Sequence, residues 1–135
     1  MPFIFKVPIL GNDVFTKLLI HSNTTNGSTV MVDSSATAHT LTSNGGAAHS
    51  TAAAKFGATS IRIAAGSQYV FSPDSVDWTL GSNDFAIDCW INFNSLQDGN
   101  VFGSHFDGGQ PDKGWFFFIQ QYQQLFTVYV YTRRF

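Results

Sequence analysis

Asn83-Asp-Phe-Ala-Ile-Asp-Cys-Trp-Ile-Asn-Phe-Asn94 holds the longest strict alternation in the chain. Phe85, Ile87, Cys89, Ile91 and Phe93 fall on one side, with Ala86, Asp88, Trp90, Asn92 and Asn94 on the other. Successive side chains of an extended backbone point to opposite faces, so a period of two predicts a strand with one buried and one more polar face. Ser82-Asn83 before it and Asn94-Ser95 after it are turn formers that bound the strand. Cys89 is the only cysteine, so it has no internal disulfide partner, and its place on the apolar side predicts a buried, inert thiol. The remaining segments read as elements laid beside or across this strand.

Composition narrows the class. The 135 residues are enough for one core of modest size. Aromatic content is 16%, dominated by 14 Phe, while charged residues make up 12%, which with many Thr, Ser, Asn and Gly predicts an all-β protein with polar loops. A formal net charge of -2, with Arg133-Arg134 as the only adjacent basic pair, argues against nucleic acid. There is no glutamate, and most of the nine Asp stand beside Gly, Ser, Asn or Pro, where Asp serves turns and caps.

Residues 1–16 read as an extended N-terminal arm and residues 17–135 as one β domain. Pro2 and Pro8 disfavour a helix or central strand in the arm, and Lys6 breaks a run too short for a signal peptide or a bilayer span. Residues 17–21 and 29–33 are short strand candidates around the turn dipeptide Asn26-Gly27. Asn23 and Asn26 each match the glycosylation acceptor pattern, which without a secretion signal is read as accidental. Residues 40–43 form a further candidate strand, and the small residues 45–54 read as an irregular surface connection. Strands follow at 60–64 and 68–72, then a turn of helix after Pro73 with Val76, Trp78 and Leu80 tucked under it. Further strands are predicted at 100–106, 115–121 and 125–132, flanking the loop 107–114. Around ten short strands with frequent turns predict an antiparallel sandwich or jelly roll.

The order Leu18-Leu-Ile-His21, Asn26-Gly-Ser28, Val32-Asp-Ser-Ser35, Ala54-Lys-Phe-Gly57, Ser60-Ile-Arg-Ile63, Tyr69-Val70, Pro73-Asp-Ser75 and Asp84 to Phe93 resembles laminin-G-like domains of the concanavalin A-like lectin/glucanase superfamily, in the versions found in tailed-phage structural proteins. The resemblance covers roughly residues 17–132 and implies a concanavalin A-like jelly roll. Family members continue through several more strands after the one at Trp115, so the implied sandwich is incomplete and exposes an edge.

The family's glucanases use paired glutamates on one strand. Here only Asp84 and Asp88 are offered, without polar companions, and none of the four His lies in a recognisable arrangement with Ser or Cys; no enzyme is expected. Relatives hold Ca2+ with loop oxygens, which makes Asp33, Asp107 and Asp112 candidate ligands, with turn capping as the alternative. The residues themselves imply no cofactor. Trp115 and Tyr122, with Asp107 in the neighbouring loop, are candidates for stacking on and hydrogen bonding a sugar. The resulting expectation is a non-enzymatic virion protein of a tailed phage that decorates or cements the capsid or tail, with a carbohydrate-binding module for host attachment as the alternative. Its partners are other virion proteins or copies of itself. Residues 125–132 are apolar or aromatic on both faces, so Phe126, Val128 and Val130 call for cover, and Phe3, Phe5 and Ile9 of an arm adding as a strand are suited to supply it.

Overall fold

The structure is a computed structural model and describes residues 13–80, 84–94, 100–106, 114–122 and 125–132, the last three segments as backbone ladders. The chain divides into two compact units, Met1–Pro73 and Asp74–Phe135.

The first unit is built on an interrupted antiparallel ribbon. Strand β1 (Thr42–Asn44) is followed after a tight turn by β2 (Ala48–Ser50), and β3 (Ser60–Arg62) after another turn by β4 (Tyr69–Phe71). Within each connected pair the strands do not hydrogen-bond to each other. Instead β1 pairs with β4, from Thr42↔Phe71 to Asn44↔Tyr69, and β2 with β3, from Ala48↔Arg62 to Ser50↔Ser60. Two stretches of chain, 42–50 and 60–71, therefore run antiparallel, and both leave the ladder at a turn halfway along.

Local chemistry explains the interruption. Gly45 and Gly46 sit at φ 64° and 88°, and Ala47 N–H donates to Asn44 O at 3.2 Å. Two successive positive φ values define a primed turn, which glycine enters without steric cost. On the facing stretch Gln68 N–H closes a turn on Ala65 O at 2.9 Å, and Gln68 Oε1 accepts from Ala64 N–H at 2.6 Å. The two turns touch: a Cβ on Gly45 would overlap the Ser67 carbonyl oxygen. Among the described residues the buried apolar side chains are Met31 and Ala47, whereas Asp33, Ser35, His49 and Thr59 are buried and polar. Among the described residues hydrogen bonding, more than apolar packing, holds the interior.

In the second unit the 3-10 turn Val76–Trp78 is capped by Ser75, whose side chain accepts from Asp77 N–H at 3.3 Å. Strands β5 (Asn100–Phe106), β6 (Gly114–Tyr122) and β7 (Leu125–Thr132) form a three-stranded antiparallel sheet in that order, with a register shift in β5 between Val101 and Gly103. β6 and β7 pair without interruption from Trp115↔Thr132 to Tyr122↔Leu125. Among the described residues β7 has no neighbour on its other side, which makes it an edge strand. No described helix is long and apolar enough to cross a membrane.

Several expectations are corrected here. The laminin-G-like, concanavalin A-like jelly roll is overturned: the described ladders are two two-stranded pieces and one three-stranded sheet, with no closed sandwich. Residues 84–94 carry no ladder, and Phe85, Ile87, Trp90 and Ile91 are exposed. Alternation states which face a strand would bury, but a strand is stabilised by cross-strand neighbours, and none pairs with this stretch among the described residues. Cys89 is accordingly exposed, not buried. Residues 17–21 and 29–33 form no described strands; their one backbone bridge is Ile20↔Asp33. Residues 45–54, read as surface connection, contain β2 and the fully buried Ala47. Val76 is 86% exposed and tucks under nothing.

The contact between the two turns is open to test. Gly45→Ala adds a left-handed backbone penalty of about 1 kcal/mol to an overlap with a carbonyl, so thermal unfolding should report a loss of about 2–3 kcal/mol. Gly66→Ala, where a Cβ meets nothing within 4 Å, should be close to neutral. Equal losses at the two positions would contradict the contact.

Candidate functional site

An open cavity of about 280 Å³ lies against β2 and β3 in the first unit, with Asn26, Gly27, Gly46, Ser50, Arg62 and Gln68 among its lining and His49 contributing to its wall. The loop that forms one side is set by a turn, Ser28 N–H to Thr25 O at 3.1 Å, with Gly27 at φ 82°. Gly at the third position of such a turn supplies the positive φ that a type II turn demands. Two backbone bonds then lay the loop along β2: Gly27 N–H donates to His49 O and His49 N–H to Ser28 O, both at 2.8 Å. Asn26 Oδ1 accepts from Thr51 N–H at 3.1 Å and ties the loop to the far end of the strand. The adjoining Asn23 is engaged likewise, its Oδ1 accepting from Ala58 N–H at 2.9 Å.

Behind the cavity lies a buried polar network that spacing along the chain does not reveal. His49 Nε2 lies 2.9 Å from Val30 O, and Nδ1 lies 2.6 Å from Ser22 Oγ. A carbonyl only accepts, so Nε2 carries a proton; in the neutral ring Nδ1 is then the acceptor and the Ser22 hydroxyl its donor. Thr59 Oγ1 donates to Ser22 O at 2.8 Å and accepts from Thr24 N–H at 3.3 Å. The sequence offered no recognisable arrangement of His with Ser or Cys, and the Ser22–His49 bond joins residues that their spacing does not connect. Hydrogen bonding of this kind joins nucleophile and base in hydrolases. Here the cavity is lined by His49 but not by Ser22. What the network does is satisfy polar groups shut away from water, where an unmet donor or acceptor costs about 1–3 kcal/mol.

Asp33 is the second buried centre. Its Oδ1 accepts from Leu19 N–H at 2.9 Å and Ser35 N–H at 2.8 Å, and its Oδ2 from Ser35 Oγ and His39 N–H, both at 2.8 Å. Ser34 N–H donates to Leu19 O at 2.7 Å alongside. Burial opposes ionisation of this carboxyl, but the bonds from Leu19, Ser35 and His39 together outweigh it and hold the group below the usual carboxylate range. Its four donors occupy the directions from which a cation would approach. The clamp has a pH signature. A carboxyl whose folded-state pKa is depressed contributes stability that is present above its unfolded pKa and lost as pH falls through the folded value, so the loss begins below about pH 4. Asp33→Asn turns one acceptor toward N–H donors as a donor and should cost about 2–4 kcal/mol at neutral pH. Urea unfolding at pH 7 and pH 3 checks this: the gap between variant and parent should narrow in acid, and a constant gap would contradict the clamp.

Of the other candidate residues, Asp107 and Asp112 lie outside the described residues, as do Phe3, Phe5 and Ile9. Trp115 and Tyr122 stand at opposite ends of β6, about 23 Å apart along an extended strand. Phe126, Val128 and Val130 lie on the edge strand β7, opposite Gln121, Ile119 and Phe117. Among the described residues no three His, Cys or Asp side chains come together as a metal site. The Cys89 thiol is pushed up by desolvation and by the Asp88 carboxylate beside it, which keeps it a thiol and a weak nucleophile near neutrality despite its exposure. Comparison with protein-family models, curated proteins and solved structures finds no match, and nothing in it supports the resemblance drawn from the order of motifs.

Proposed function

We propose that this chain is a non-enzymatic structural subunit that works inside a multi-chain particle, with the virion of a tailed phage as that particle and copies of itself or other virion proteins as its partners. The observation that supports this reading is the edge strand. Leu125–Thr132 holds no proline and no charge, the devices by which proteins blunt an open edge, yet no described strand pairs with its outer side. Such an edge is a template for another strand, and strand addition from a second chain satisfies its backbone while covering apolar residues.

The described surface supports the same reading. Phe15, Val30, Phe56, Val76 and Trp90 are each more than two-thirds exposed. Scattered apolar residues are ordinary on a monomer, but here they outnumber the buried ones among the described residues, and covering one large side chain is worth about 1.5–3 kcal/mol. The arm residues Phe3, Phe5 and Ile9 belong to the proposal as the strand that pairs with β7 of a neighbouring copy.

Sedimentation of the purified chain tests the assembly directly. The full chain should run as an oligomer at micromolar concentration. Val128→Lys, which places a charge on the open edge, or removal of residues 1–11 should weaken association by about tenfold or more. A monomeric parent, or variants that associate as well as the parent, would overturn the reading. Mass spectrometry of purified particles should contain the chain, and its absence there would remove the virion assignment.

A further inference from the structure

We propose that the cavity against β2 and β3 binds a hydroxylated carboxylic acid the size of a single sugar acid. The site follows from which hydrogen-bonding groups the fold has already used. Asn26 Oδ1 is occupied by Thr51 N–H and Gln68 Oε1 by Ala64 N–H. A backbone N–H only donates, so these bonds fix both side-chain amides with their oxygens engaged and their NH₂ groups available. A Cβ on Gly46 would lie 3.5 Å from Gln68 Nε2, which puts that amide nitrogen at the Gly46 turn on the cavity's border. Ser50 Oγ accepts from Ala52 N–H at 3.2 Å, leaving its own proton to donate. Both ring nitrogens of His49 are engaged from behind.

Arg62 completes the set. Among the described residues it is the only charged side chain lining the cavity, and it pairs with no acid. The lining thus presents one cation and three neutral donors, with no carboxylate and no free amide oxygen. A group that matches it carries one negative charge and several acceptor oxygens. A carboxylate meets the guanidinium fork through two parallel bonds. Hydroxyl oxygens next to that carboxylate give Asn26, Ser50 and Gln68 acceptors that a bare carboxylate, with both oxygens on Arg62, serves poorly. A phosphate dianion would call for a second cation, which the lining lacks. A volume of about 280 Å³, near the small end of ligand sites, suits one ring and not a chain of them.

The cavity belongs to the first unit and shares no residue with the edge strand, so the proposal is independent of the assembly reading. Titrating the full chain with glucuronate, glucose, acetate and inorganic phosphate, followed by calorimetry and by the amide resonances of Gly27 and Gly46, tests it. Glucuronate should saturate in the millimolar range, with the other three about tenfold weaker or more. Arg62→Ala should lose about tenfold in glucuronate affinity, and Arg62→Lys, which keeps the charge without the fork, should fall between. Gln68→Ala should weaken glucuronate but not acetate. Circular dichroism of the two Arg62 variants should match the parent, because Arg62 is exposed. Absence of saturation, equal binding of glucose, tighter binding of phosphate, or indifference to Arg62→Ala would each overturn the proposal.

Discussion

The Asp33 carboxylate is the tie on which the first unit depends. Residues 17–21 and 29–33 share only one bridge, too little to hold them together as strands. The carboxylate supplies what the missing ladder does not, gathering N–H groups from Leu19, Ser35 and His39 onto one side chain. Ser35 adds a second tie, its hydroxyl also lying 3.3 Å from Lys17 O. Charge-assisted bonds are roughly twice as strong as neutral ones, so a single buried anion organises a loop that has little apolar surface to bury.

The same economy runs through the rest of the unit. The ribbon of β1 to β4 has three-residue strands, and its middle is given over to two turns in contact. The loop 26–28 is held by paired backbone bonds to β2, and the space behind it is closed by Ser22, His49 and Thr59. Because those internal bonds consume the acceptors of Asn26, Gln68 and His49, the outward-facing groups are donors. The chemistry of the cavity is thus a by-product of how the fold satisfies itself.

Strand positions were legible where residues are β-branched or aromatic. β3, β4, β5 and β6 fall within a residue or two of where alternation puts them, and β7 matches at both ends. β2 was not legible, because Ala48-His49-Ser50 has neither apolar periodicity nor strand propensity and owes its conformation to pairing with β3. Residues 84–94 show the converse, a strong pattern that forms no ladder among the described residues. The turn at Asn26-Gly27 was visible in the sequence, but the network was not. Ser22 and His49 are 27 residues apart, and most of the donors that surround Asp33 are backbone N–H groups, which have no sequence signature. Pairing, not pattern, is what the sandwich expectation lacked.

If the polar ribbon and not the alternating stretch organises this chain, amide hydrogen exchange will say so residue by residue. Gly27, Ser34 and His49 donate to backbone carbonyls between loop and strand or across the Asp33 tie, and their amides should exchange slowly. Amides between residues 85 and 93, Trp90 aside, should exchange close to the rate of an unstructured peptide. Slow exchange through residues 85–93, with contacts to a second strand and fast exchange at Gly27, Ser34 and His49, would contradict the account and return that stretch to the centre of the fold.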